Sequence, residues 1–128
     1  MTLHVEVVSP ERILWSGEAD MVSARTLGGG DIAFLTGHAP FIGALGIGAV
    51  TIQEPGGQQT RVAVHGGFVE VSGNKVTILS DVAELSGDID RARAQAALDR
   101  AEAAYRAEAS PENDEALRRA RLRLDLAA

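Results

Sequence analysis

The 128-residue chain contains no cysteine, so neither disulfides nor thiolate metal sites contribute to its fold or chemistry. It has no apolar run approaching the roughly 20 residues that a membrane-spanning helix needs. Its opening, MTLHVEVVSP, alternates apolar and polar residues and lacks the basic start and apolar stretch of a secretory leader. Positive charge is also scarce: 18 acidic against 12 basic side chains give a net charge of −6, the wrong sign for a protein that neutralises nucleic-acid phosphates. Reactive motifs are missing too. There is no GxxxxGK[ST], and Gly43-Ala44-Leu45-Gly46-Ile47-Gly48 lacks the spacing of a dinucleotide fingerprint. No serine sits in a nucleophile elbow. His4, His38 and His65 stand far apart with no HExxH pattern, and read as solvated or turn histidines rather than metal ligands. A free-standing hydrolase needs a nucleophile with a base, and the sequence offers none.

Glycine is absent from the last third of the chain, and that absence divides it. All 14 glycines lie at or before Gly87, whereas alanine and arginine crowd the residues beyond it. The change falls inside Leu79 to Ala94, LSDVAELSGDIDRARA. It predicts two units, 1–87 built of strands and 88–128 built of helices. The first is acidic and sparsely charged; the second is nearly neutral but densely charged, as an exposed helix pair would be.

Leu3-His4-Val5-Glu6-Val7 alternates with period two and ends at Ser9-Pro10-Glu11. Arg12 to Trp15 and Glu18 to Arg25 read as strands separated by Ser16-Gly17, and Asp31 to Leu35 as a short strand after three glycines. Phe41 to Ile52 is apolar but interrupted by glycines, which mark bends or bulges. Arg61 to His65 and Phe68 to Val71 flank Gly66-Gly67, and Gly73-Asn74 closes a two-residue hairpin onto Lys75 to Leu79. Many short strands at this spacing predict an antiparallel β-sandwich or flattened barrel.

Asp88 is a candidate N-cap for a helix running to about Ala109. Either Ser110, with Pro111 in the first turn, or Asn113 caps a second helix ending near Leu126. So short a connection makes the two antiparallel, an α-helical hairpin. Leu117, Ala120 and Leu124 form one stripe of the second helix, while Leu122 and Leu126 sit nearly opposite, so this helix needs a second surface besides its partner helix.

One cluster offers binding chemistry. Asp90 and Arg93 are i, i+3 neighbours, and Arg100 follows on the same face with alanines between. Arg119 and Arg123 form another pair on the second helix. Arginine suits phosphate because its planar fork donates two parallel hydrogen bonds. The bland alternative is a set of solvated faces with pairs such as Glu115 to Arg119 and Glu102 to Arg106.

The opening strand with VVSPE, Ser16-Gly17, Gly30-Asp31-Ile32 leading to Gly37-His38-Ala39-Pro40, Gly66-Gly67-Phe68-Val69-Glu70-Val71 and Val76-Thr77-Ile78-Leu79 occur in the order and spacing of one family. Across essentially its whole length the chain resembles the epsilon subunit of bacterial F-type ATP synthases. Ile89-Asp90-Arg91-Ala92-Arg93-Ala94 is similar to that family's ATP-recognition motif, I/L-D-x-x-R-A. The resemblance implies a sandwich of about ten strands plus a helical hairpin, and a non-catalytic rotor subunit at the foot of the central stalk. Its partners would be the gamma subunit, the c-ring and, through the hairpin, the alpha/beta catalytic head, at the cytoplasmic face of the bacterial inner membrane. It places Asp31 and His38 in loops facing the c-ring. It also places Glu84, Asp90, Arg93 and Arg100 at nucleotide contacts, with Arg119 and Arg123 as partners from the second helix. Arg118, Arg119, Arg121 and Arg123 would meet an acidic segment of the head when the hairpin extends, and ATP would be a regulatory ligand of the folded form rather than a required cofactor.

Overall fold

A computed structural model describes residues 1–127. Eight strands form the N-terminal part: β1 (Leu3–Val8), β2 (Ile13–Ala19), β3 (Met21–Arg25), β4 (Asp31–Phe34), β5 (Phe41–Gln53), β6 (Gln59–Ser72), β7 (Lys75–Leu79) and β8 (Ala83–Leu85). They hydrogen-bond in the order β2-β1-β7-β6-β5-β3-β4, with β8 on the side of β6. The path is open at β2 and β4, so the architecture is a sandwich and not a closed barrel.

Two long strands account for the count of eight where about ten were expected. β5 and β6 run 13 and 14 residues through their glycines without ending. The stretches Arg61 to His65 and Phe68 to Val71 are therefore halves of one strand, bent where Gly66 and Gly67 adopt φ of 92° and 134°. The first half of β6 pairs with β8 and the second half with β7, so the β5–β6 hairpin serves both layers. Ser16-Gly17 likewise lies within β2, and the chain turns instead at Asp20. One pair departs from the antiparallel expectation: β1 runs parallel to β7.

Alternation decides what faces inward. Leu3, Val5 and Val7 of β1 are fully buried with Val69, Val71, Val76 and Ile78, against Val22, Phe34, Val50, Ile52, Val62 and Val64 of the other layer. The two-residue hairpin forms as read: Ser72 pairs with Lys75, and Gly73 takes φ 61° at the first turn position.

After β8 a single 3-10 turn covers Ser86–Asp88, followed by α1 (Arg91–Ala107) and α2 (Pro111–Leu126). The N-cap of α1 is Asp90, not Asp88: its carboxylate accepts from Arg93 N at 3.1 Å. Asp88 is consumed by the 3-10 turn that brings the chain off β8. Ser110 caps α2, accepting from Asn113 N, with Pro111 in the first turn. Asn113 serves the other end of the connection, donating its amide to Ala104 O and Glu108 O and closing α1 at Ala107, two residues short of the expected end. The hairpin lies folded on the sandwich. Leu126, with Leu122 and Leu124, packs on Ala49 of β5 and Ala63 of β6, which is the second surface that leucines on two sides of α2 required. No helix among the described residues is long and apolar enough to cross a membrane.

Candidate functional site

On the outer face of the helix-bearing layer, β6 presents Arg61, Ala63 and His65 in alternation, and Ala63 pairs with Glu84 of β8. The alanine lets α2 come close, and the larger residues on either side become the walls of two grooves flanking the helix. The groove toward α1 has a volume of about 310 Å³ and is lined by His65, Glu84, Ala97, Ala101, Arg119 and Arg123, among others.

Glu84 and Arg123 hold it together. Arg123 Nη2 donates to Glu84 Oε2 at 3.1 Å, and Arg123 Nε lies 2.9 Å from Oε1. The second contact is short but misaligned, leaving Nε without an aligned acceptor. This two-point pair ties α2 to β8 in a partly shielded setting. Arg119 also pairs within its own helix, with Glu115 at 3.2 Å, as its i, i+4 spacing allows.

His65 was read as a solvated or turn histidine, and the structure overturns that. Its side chain is only 3% exposed, its Nε2 is 3.6 Å from Glu84 Oε1, and neither ring nitrogen has a hydrogen-bond partner. Burial pushes its pKa below the ordinary value; the Glu84 carboxylate opposes that shift and the Arg123 guanidinium adds to it. The period-two alternation of Arg61 to His65 puts His65 on the face of β6 that Arg61 and Ala63 share. What the sequence did not show was that α2 would cover it.

Glu84, Arg119 and Arg123 are thus brought together. Asp90, Arg93 and Arg100 do not line the groove. The expected row Arg93-Ala97-Arg100-Ala104 is split, because α1 turns Ala94, Ala97, Leu98, Ala101 and Tyr105 toward its neighbours and leaves Arg93, Arg100 and Ala104 exposed. The guanidiniums of this groove come from α2 instead. The motif also has a structural side. Ile89 and Ala94 are buried against Ala63 and Leu126, and the Asp90 carboxylate is engaged as a cap. Of its defined positions Asp90 and Arg93 are exposed, and with Asp90 engaged as the cap Arg93 is the one left to meet a ligand.

Asp31 and His38 bracket β4 at opposite ends. Asp31 pairs with Arg25 at 3.3 Å. His38 stacks edge-on against Phe34, with ring centroids 5.0 Å apart, and its Nδ1 is 2.7 Å from Ala39 O. Gly37 N donates to Asn74 Oδ1, joining this loop to the β6–β7 turn.

The opposite face of the molecule is bare. Ile42, Phe68 and Leu79 are 74%, 56% and 42% exposed, and Phe68 pairs directly with Leu79 and with Ala44, so they form one apolar patch on the layer that carries no helix.

Residues 2–86 match the family described as ATP synthase, Delta/Epsilon chain, beta-sandwich domain. The chain is 46% identical over 116 residues to the ATP synthase epsilon chain of Streptomyces avermitilis, covering 91% of this chain and 93% of that one. It is 44% identical to the ATP synthase epsilon chain of Halalkalibacterium halodurans, covering 98% and 97% of the two chains. Among solved structures, a chain of the Euglena gracilis mitochondrial ATP synthase, OSCP/F1/c-ring, superposes with a TM-score of 0.81 at 21% identity, covering 97% of this chain and 79% of that one. A chain of the Tetrahymena thermophila mitochondrial ATP synthase central stalk/c-ring gives 0.56 at 16% identity, covering 75% and 72%.

Proposed function

The chain belongs to the ATP synthase epsilon chain family, and from that premise we propose that it is a non-catalytic rotor subunit that couples the gamma subunit to the c-ring in proton-driven ATP synthesis. The observation that carries the gamma contact is the apolar patch of Ile42, Phe68 and Leu79. A contiguous apolar surface is costly to leave in water, and on a soluble chain it marks a docking face. The helix-bearing face is already occupied by α2, so gamma takes the other layer. Asp31, at the start of β4, and His38, in the loop that follows it, face the polar loops of the c-ring, and the subunit sits peripherally at the cytoplasmic face of the bacterial inner membrane. With the hairpin extended, the arginines of α2 reach the alpha/beta head.

The experiment is co-purification of the chain with purified gamma. The parent forms a complex at micromolar concentration, and Phe68→Glu weakens it at least about tenfold by placing a charge in a desolvated centre. No complex with the parent sinks the assignment; an undiminished complex with the variant sinks the face.

A second reading, that ATP regulates the hairpin, is supported by the groove lined by Glu84, Arg119 and Arg123 and by the exposed Arg93 one turn before Ala97. A ligand shifts the hairpin only by its preference for one state. Millimolar ATP raises the melting temperature of the parent, and Arg93→Ala and Arg123→Ala each abolish the rise. An unmoved parent melting curve removes this reading and leaves the rotor assignment intact.

A further inference from the structure

The second groove flanking α2, on the side away from α1, has a different character. Its volume is about 350 Å³, and it is lined by Arg25 of β3, Arg61 of β6, and Arg118 and Arg121 of α2. Against these four guanidiniums the lining holds one carboxylate, Asp125, in a chain whose net charge is −6. The floor includes Gly48, where an added Cβ would lie 2.5 Å from Arg25 Cβ and 3.0 Å from its Cδ. The Arg25 side chain therefore lies along bare backbone, and the glycine makes the room.

The charges in this groove are poorly compensated. Arg25 pairs with Asp31 and Arg118 with Asp114, each at 3.3 Å, with all four side chains 49% exposed or more. Such pairs are weak and leave much of the positive field in place. Among the described residues, no carboxylate lies within ion-pair distance of Arg61 or Arg121, since neither figures in any of the salt bridges. Docking α2 thus carries two arginines over two arginines of the sheet. That contact is repulsive by itself, and it is held closed from the other side of the helix by Glu84–Arg123 and by the leucines on Ala49 and Ala63.

We propose that this groove is a binding site for a free phosphate-class oxyanion, and that its occupancy clamps the docked hairpin to the sandwich. Forked guanidinium donors from two sheet strands and one helix match the tetrahedral acceptors of phosphate or pyrophosphate. A bound anion converts the repulsion across the α2–sheet contact into attraction on both sides. The site is separate from the Glu84 groove, where Glu84 already pairs with Arg123 and Glu115 with Arg119, and it does not depend on the nucleotide reading. By linkage, an anion that binds only the docked form stabilises it as RT ln(1 + [L]/Kd).

The test is thermal melting of the full chain in millimolar pyrophosphate, and separately in inorganic phosphate, against sodium chloride at matched ionic strength and above neutral pH, so that general screening is equal. Pyrophosphate raises the melting temperature saturably, and the Gly48 amide resonance moves with the same midpoint. Arg61→Gln/Arg121→Gln, which alters two exposed side chains, weakens the apparent affinity at least tenfold, whereas Arg106→Gln, the same loss of charge at an exposed position of α1 outside the groove, retains it. Arg61→Gln alone gives a partial loss and guards against a folding defect in the double variant. The proposal fails if chloride produces the same shift, if neither anion produces one, or if the double variant responds as strongly as Arg106→Gln does.

Discussion

Gly67→Ala is expected to destabilise the protein by at least about 3 kcal/mol and to lower its melting temperature on the order of 10 °C or more. Gly67 has φ 134°, and an added Cβ would lie 2.1 Å from Leu79 O and 3.1 Å from Ser80 Cα. Backbone strain in that region costs about 1–3 kcal/mol by itself, and the obstructing atoms are main chain, which cannot swing away as a side chain would. The entropic gain of alanine over glycine in the unfolded chain, about 0.4–1 kcal/mol, has the opposite sign and is too small to compensate. Relief would require β6 to part from the Leu79–Ser80 segment. The buried Ser80 is anchored there, its Oγ 2.6 Å from Gly66 O and 2.9 Å from Val82 O. Gly28→Ala is the control: nothing lies within 4 Å of its Cβ position and its φ is not in the left-handed region, so it melts close to the parent. Urea midpoints of the two variants decide the matter, and a Gly67→Ala midpoint indistinguishable from the parent would remove the close approach.

The same glycine shows what a sequence conveys and what it withholds. Gly66-Gly67 was visible as an interruption, and local composition could not tell an interruption that ends a strand from one that bends it. The answer depends on the hydrogen bonds β6 makes on both sides of the bend, to β8 before it and to β7 after it. The parallel β1–β7 pair was hidden for a related reason: period-two alternation in Leu3 to Val7 fixes which side chains face inward but not the direction of the neighbour. The helices were more legible, because caps and stripes are local. Ser110 with Pro111, one of the two starts read for α2, begins it, and the two-sided leucines required a second surface, which the sheet supplies. Asp90 and Asp88 compete for the cap of α1, and only the path off β8 selects between them.

The candidate site was half legible. Arg119 and Arg123 share a helix face by spacing alone, but their partner Glu84 comes from 39 residues upstream of Arg123 and meets them through the docking of α2. Arg93 and Arg100 share a face as well. That face turns outward because the smaller alanines of α1 pack better against α2 than arginines do.

His65 carries the second large effect. Acidification from about pH 7.5 to pH 5.5 is expected to loosen α2 from the sandwich, with stability falling by up to about 1.4 kcal/mol per pH unit once the pH is below His65's ordinary value. Burial lowers the His65 pKa from 6.5, with Arg123 and Arg119 of α2 acting in the same direction and Glu84 of β8 opposing them. Below 6.5 the undocked or unfolded chain binds a proton that the docked form refuses, so the docked form loses ground as pH falls; above 6.5 both forms are neutral at this site and its contribution is flat. Carboxylates act in a different window. Glu6 is held below its ordinary 4.5, chiefly by its hydrogen bond to Lys75, and Glu18, chiefly by its hydrogen bond from Thr2, so their support is lost only as pH falls below 4.5. The two windows separate the histidine from general acid denaturation. Hydrogen exchange at the amides of α2, followed across pH 7.5 to 5.5 at constant ionic strength after correction for intrinsic exchange rates, should accelerate in the parent and stay level in His65→Gln, which cannot take the proton. Equal acceleration in both would mean that His65 does not govern docking. Glu84→Gln tests the same balance from the other side. It strips Arg123 of its partner, and it removes the one influence that raises the His65 pKa, so α2 should exchange faster at every pH and the acid-sensitive window should extend further below 6.5 than in the parent.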